Sequence, residues 1–346
     1  MATLTSSISN DLLSSTLYSI RDGEVDELFQ KVAFLDGARK HGGIETEDGG
    51  TMLVRPLSLT EHSSITNLPT GYEPVSMAVA DVLRPAEYTW SDFVAPIVIT
   101  KKEELENRGE KAVVKIVEAR MRSVMGMLRR ELNKQILVGN SAVLTDLNTL
   151  NGDVAGGFLE AETVATQQTS GNTVGNIAKT STTAPGWANQ SFDIAGAFST
   201  DGIRGMQEAY LRGNSVAPVG DTDLVILSEA AMANYRRGLF AQERYVNEKT
   251  LDGGRMQLAF AGAAVEQDTN LGFAITSADY GVGPVSGYMI NFDGIKLVFH
   301  KDADFAVSPF EHISGTTSRA AQLYVKCQLV GDHLGSQSVL FDGDTW

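Results

Sequence analysis

The sequence predicts a mixed α+β fold on three observations. A proline-punctuated, β-rich stretch runs from 51 to 98, and one long amphipathic helix follows over 110–138. Beyond 199, helical and strand patterns alternate and end in strands. With 346 residues, 42% apolar and 21% charged, the chain can bury a substantial core. No run approaches the ~20 consecutive apolar residues of a membrane-spanning helix, so no membrane partner is expected. Residues 1–16 lack a basic segment followed by an apolar one, so no secretory signal is expected. The single cysteine, Cys327, excludes an intrachain disulfide framework and any multi-cysteine metal site.

Residues 1–45 are polar and acidic. Val25, Leu28, Phe29 and Val32 share one helical face, which predicts a short helix over 25–34 within an arm ending at His41, Gly42 and Gly43. The acidic Gly-Gly turn at 47–50 opens a strand over 51–59, and a second extended segment returns from 77 to 98. There Tyr88 and Trp90 alternate with Thr89 and Ser91. Prolines 56, 69, 74, 85 and 96 recur through this region, and proline cannot donate to a sheet ladder. The expected structure is a long two-stranded ribbon projecting from the body. Such a ribbon is marginal alone and needs a neighbour to lie on.

Val113, Val117, Met121, Val124, Met125, Leu128, Leu132 and Ile136 keep a three- or four-residue spacing. Glu118 and Arg122 form an i,i+4 pair, and Gly139–Asn140 is a stop signal. Residues 141–190 are rich in Ser, Thr, Asn, Gln and Gly and read as a polar surface insertion. Next come a capped helix with Ile203, Met206 and Tyr210 inward, stopped at Gly213, and a buried strand over 223–227. Ser228 caps a further helix with Met232, Tyr235 and Leu239 inward. Residues 288–299 read as a hairpin closed by a type I′ turn at Asp293–Gly294. Leu323, Val325, Cys327 and Leu329 form the inward face of a late strand.

Catalytic signatures are poor. The sequence has no nucleophile elbow, phosphate loop, zinc-protease motif or complete calcium loop. The glycines at 281, 283 and 287 imitate a dinucleotide fingerprint, but they precede a strand, so a loop is the reading. His41, His62, His300, His312 and His333 lack ligand spacing, and Asp302 and Asp304 start a calcium loop that Ala306 and Val307 do not continue. Cys327 reads as a small core residue. No catalytic residue, cofactor or metal is assigned. The chain carries a net charge of −15, which disfavours whole-surface nucleic-acid binding. Residues 101–140 are the one basic segment, with Lys115, Arg120, Arg122, Arg129, Arg130 and Lys134 on the long helix. That face is either a solvated helix surface or an electrostatic floor for a polyanion. No aromatic residue is interleaved, so base stacking is not supported.

The order of parts resembles the HK97-fold major capsid proteins of tailed bacteriophages. The residues carrying the resemblance are the extended segment 51–100 running into the helix to 139, and the C-terminal blocks 286–311 and 320–340. The resemblance spans nearly the whole chain and rests on architecture. It implies an N-terminal arm (1–45), an E-loop over the adjacent subunit (46–100) and a spine helix of the peripheral domain (101–140). A polar insertion follows (141–190), then an α/β axial domain (191–285) and a return to the peripheral domain (286–346). It further implies a structural, non-enzymatic subunit that assembles with itself into pentamers and hexamers of an icosahedral shell around double-stranded DNA. Portal, scaffolding and decoration proteins are the implied partners, and the virion, assembled in the host cytoplasm, the implied location. Leu53, Arg55, Tyr88 and Trp90 are then expected at subunit contacts, with Tyr88 and Trp90 packed on their own body as the open alternative. Lys115, Arg122, Arg129 and Arg130 are expected to face the packaged DNA, in weak non-specific contact. Two alternatives stand beside this: an encapsulin-like cellular compartment, and an α/β enzyme using scattered carboxylates.

Overall fold

The computed structural model describes residues 32–58, 71, 82–106, 110–138, 144–145, 147, 173–178, 187, 189–194, 201–216, 220–241, 249–250, 256–273 and 285–341, with backbone alone at 104–106, 110–116, 118 and several element ends. The first element is a helix, α1 (Ala33–Lys40), followed by strand β1 (Ile44–Glu47). The helix predicted over 25–34 therefore lies mostly outside the described residues, and its described end belongs to α1. This is no free arm, because Ala33, Phe34 and Ala38 are fully buried in the main hydrophobic cluster.

Strands β2 (Met52–Ser58) and β3 (Leu83–Thr89) form the antiparallel ribbon, with Pro56 opposite Pro85. Each of these prolines tolerates its position because a two-stranded ribbon has two free edges. Strand β4 (Ser91–Thr100) leaves the ribbon for the body. There it pairs along ten consecutive positions of the longest strand, β16 (Ser318–Gly331), from Ser91↔Cys327 to Thr100↔Ser318. The other edge of β16 is lined in turn by β13 (Ile295–His300), β14 (Ala306–Val307) and β15 (Glu311–His312), and β1 pairs in parallel with β13. This six-stranded sheet buries Leu323, Val325, Cys327 and Leu329 on the face that the alternation predicts.

A short helix, α2 (Lys101–Glu106), leads into the 29-residue α3 (Glu110–Val138), about 44 Å long at 1.5 Å per residue. Its apolar stripe is graded along this length. Val117, Met121, Val124 and Met125 are half-buried, whereas Leu132, Ile136 and Leu137 are sealed in the core. Asn133, near the sealed end, reaches the turn that begins α6 (Asn270–Phe273).

Within the polar insertion, β5 (Thr173–Val174) and β6 (Ile177–Ala178) make a two-residue hairpin. A second sheet then runs β7–β17–β12–β8–β11–β10–β9: β7 (Gln190–Asp193), β8 (Leu224–Leu227), β9 (Lys249–Thr250), β10 (Met256–Phe260), β11 (Ala263–Gln267), β12 (Val285–Ile290) and β17 (Ser338–Phe341). Helices α4 (Ile203–Val216) and α5 (Glu229–Ala241) supply the second cluster's Met206, Ala209, Met232 and Tyr235. All four residues of β8 are buried, as their unbroken apolar run requires. Ser228 caps α5 by accepting the Ala231 N–H at 3.2 Å.

Two expectations give way here. The hairpin over 288–299 does not form: β12 is flanked by β8 and β17, and β13 by β1 and β16. Neither Asp293 nor Gly294 takes the positive φ that a type I′ turn needs. Gly294 has another role, because a Cβ there would lie 2.7 Å from the His333 carbonyl oxygen. Helix α4 does not stop at Gly213 but runs through it to Val216. The missing side chain is needed for packing, since a Cβ would stand 3.2 Å from the Ser336 carbonyl oxygen. Strands β12 and β17 belong to the second sheet, and the chain between them crosses to the first and back.

Candidate functional site

The ribbon root and the long helix carry the residues singled out from the sequence. Along the ribbon, alternation puts Leu53, Arg55 and Leu57 with Ala86 and Tyr88 on the inner face. Leu53 is 1% and Tyr88 3% exposed, both within the chain's own cluster. The Tyr88 hydroxyl donates to the Gly331 carbonyl oxygen at 3.1 Å, and burial raises its pKa. The side chains of Leu53 and Tyr88 are thus packed inside the chain's own core.

Arg55 is the charged member of the same face. Its Nη2 donates to Glu45 Oε2 and lies 3.3 Å from Glu47 Oε1, while Asp332 Oδ1 stands 3.8 Å from its Nε. One guanidinium thus ties the ribbon to the β1 edge and to the end of β16. Burial holds the Asp332 carboxyl above its ordinary range, outweighing the opposite pull of Arg55. Trp90 is half-buried, donates its indole N–H to Gly50 O at 3.0 Å and meets the His300 ring edge-on at 5.7 Å.

The ribbon's outer face is different in kind. Met52, Val54 and Leu83 are 42%, 53% and 63% exposed, and Pro56 and Pro85 lie exposed among them. These five apolar residues make an exposed stripe on one face of the ribbon. The sequence pattern contained this stripe, as alternate apolar residues on both strands. What it lacked was the register that decides which alternate set faces out.

On α3, Arg122, Arg129 and Lys134 are exposed and Arg130 is half-buried, while the Lys115 side chain lies outside the described residues. The Arg129 guanidinium sits 5.7 Å over the Phe305 ring, which anchors it without neutralising it. Arg120 serves a structural end. It donates to Glu103 Oε1 at 2.8 Å, Glu103 Oε2 at 3.1 Å and the Val98 carbonyl oxygen at 3.0 Å, fixing α3 to the α2 corner and β4. Glu103 also accepts from the Thr100 N–H at 3.0 Å. Arg120, then Thr100, hold the Glu103 carboxyl below its ordinary 4.5. A lowered folded-state pKa means stabilisation that is present above the unfolded value and lost as pH falls through the folded one. The melting-temperature gap between the wild type and Glu103→Gln is therefore expected to be full near neutrality and to close below about pH 4. A gap that stays constant to acid would disprove the assignment.

Cys327 is fully buried, and burial pushes its thiol up to about 12, which removes it as a nucleophile at neutral pH. Among the described residues no three His, Cys, Asp or Glu side chains come together to hold a metal ion. No helix among them is long and apolar enough to cross a membrane.

The two sheets, the paired ribbon and the long helix make a mixed α+β fold. The solved capsid of cyanophage A-1(L) superposes with a TM-score of 0.64 at 14% identity, over 94% of this chain and 98% of that one. The capsid of an empty GTA particle gives 0.59 at 11% identity, covering 94% and 96%. The holo-SrpI encapsulin complex of Synechococcus elongatus PCC 7942 gives 0.53 at 8% identity, covering 100% and 98%. No protein-family model matches the sequence, and no curated protein does. The chain has the α+β fold of these phage capsid and encapsulin subunits, as the resemblance to HK97-fold capsid proteins implied.

Proposed function

We propose that the chain is the major capsid protein of a bacteriophage, a structural and non-catalytic subunit of an icosahedral shell enclosing double-stranded DNA. The observation that carries this reading is the end-to-end match to a cyanophage capsid subunit, with 94% and 98% of the two chains aligned. The exposed apolar stripe on the ribbon supports it, because a repeating subunit needs a surface that a neighbour will cover.

In this reading the ribbon and the segment joining its strands act as the E-loop, and α3 acts as the spine helix. The second sheet with α4 and α5 forms the axial domain, and copies meet in pentamers and hexamers through heterologous ring contacts. Arg55 and Trp90 stand at the edge of the subunit contact, holding the ribbon whose outer face meets the neighbour. Lys115, Arg122, Arg129 and Arg130 face the genome. Contacts of this kind to phosphate are weak and salt-dependent, and an acidic shell releases what it has packaged. Portal, scaffolding and decoration proteins complete the particle, which assembles in the host cytoplasm and resides as the virion. The encapsulin match, which covers 100% of this chain, favours a cellular compartment as the second reading.

Light scattering and negative-stain microscopy of the purified chain test the proposal. Closed shells, or rings of five and six, are expected. A monomer or dimer that persists at high concentration and with scaffolding lysate overturns both shell readings. Particles isolated from their native source separate the two: nuclease-protected double-stranded DNA marks the capsid, and enclosed protein without DNA the compartment.

A further inference from the structure

The ribbon root has a neighbour within its own chain. The β5–β6 hairpin, drawn from the polar insertion, turns through Gly175 at φ +57° and Asn176 at φ +65°, the paired positive values of a type I′ turn. That turn is seated on β3. The Glu87 N–H donates to the Gly175 carbonyl oxygen at 3.1 Å, and the Asn176 side-chain amide donates to the Glu87 carboxylate at 3.1 Å. The fit leaves no room: a Cβ at Gly175 would stand 2.9 Å from the Ala86 Cβ and 3.0 Å from the Tyr88 ring. Behind the turn, Val174 and Ile177 are buried in the cluster that holds Leu53, Leu57, Ala86 and Tyr88. Trp187, fully buried, fixes the hairpin by donating its indole N–H to the Val174 carbonyl oxygen at 3.2 Å.

We infer that the 173–178 hairpin is a brace that sets the direction of the ribbon within the single subunit, before any second copy is present. Three features share the work. The hairpin supports the ribbon through β3, Tyr88 ties β3 to Gly331, and Arg55 ties β2 to Glu45, Glu47 and Asp332. Of the three, the hairpin is the one contributed by the insertion, so the insertion has an architectural task. What the fixed direction serves rests on the shell reading, in which the ribbon must reach a neighbour at a defined angle. That the brace exists does not.

Hydrogen exchange on the full-length, unassembled chain tests the inference, with amides of 52–58 and 83–89 as the probe and 224–227 as the internal reference. Gly175→Val fills the space occupied by Ala86 and Tyr88. Asn176→Asp keeps the turn's backbone and the buried cluster but sets a carboxylate against Glu87. Both variants are expected to exchange faster in the ribbon, by at least about tenfold for Gly175→Val and a few-fold for Asn176→Asp, with the reference unchanged. Ribbon protection unchanged in both variants overturns the brace. So does equal acceleration at 224–227, which would make the hairpin part of one global unit. Because the measurement uses unassembled chain, it is independent of whether shells form.

Discussion

Replacing Asp268 with alanine is expected to destabilise the chain by about 3 kcal/mol, which a urea unfolding midpoint will show. Asp268 is fully buried, yet its carboxylate is held by N–H donors from three parts of the chain. Oδ1 accepts the Asn270 backbone and side-chain N–H groups at 2.9 Å each. Oδ2 accepts the Asn133 amide at 2.8 Å from α3 and the Ala33 N–H at 3.4 Å from the first turn of α1. Val32 gives α1 no side-chain cap of its own, so Asp268 does this from 235 positions away. It also lies at the helix end where negative charge is favoured. Alanine would strand the Asn133 amide, whose oxygen already lacks a partner among the described atoms, and leave the α1 N-terminus uncapped. Two losses of about 1–2 kcal/mol each make up the figure. A shift below about 1 kcal/mol would show that water substitutes for the carboxylate. Amide exchange in 36–40 should rise more than in 224–227, since α1 is the element released.

Asp268 also marks the limit of what the sequence discloses. The 2.9 Å bond from Asn270 N to Asp268 is a local turn that feeds a short helix. Nothing local announces Ala33 and Asn133 as the other partners. The same division runs through the fold. The long helix was legible over 110–138 because its 3.6-residue apolar period is a property of the segment alone. The inward alternation of β16 was legible for the same reason. The β12–β13 hairpin was misread because a two-residue turn signal does not reveal whether the flanking strands already have other partners. At Gly213 the ambiguity was between a helix stop and a close packing contact, and only the position of Ser336 resolves it. Among the candidate contact residues, Leu53 and Tyr88 came from the resemblance, which carries no register. Register turned them inward and turned Met52, Val54 and Leu83 outward. The polar insertion showed no periodicity, so its role beneath the ribbon became visible only when Gly175 was placed against Ala86.

That outward set makes the strongest functional prediction: the double variant Val54→Lys and Leu83→Lys is expected to fold and fail to assemble. Val54 and Leu83 are 53% and 63% exposed, and lysine at such positions costs the isolated chain at most about 0.5 kcal/mol each. A neighbour that covers the stripe feels the change differently. It loses the burial of two apolar side chains, about 1.5–3 kcal/mol each, and must desolvate two ammonium groups. In a closed shell every subunit makes this contact, so the penalty recurs at every position of the lattice and cannot be avoided by choosing another site. The melting temperature of the variant should stay within a few degrees of wild type while scattering reports only small species. Arg55 gives the complementary control, because its partners Glu45, Glu47 and Asp332 lie within the chain. Arg55→Ala should lower stability and ribbon protection first, leaving the apolar stripe chemically intact. Full-sized shells from the double-lysine variant would show that the ribbon's outer face meets solvent in the particle, and the subunit contact would have to lie on another surface.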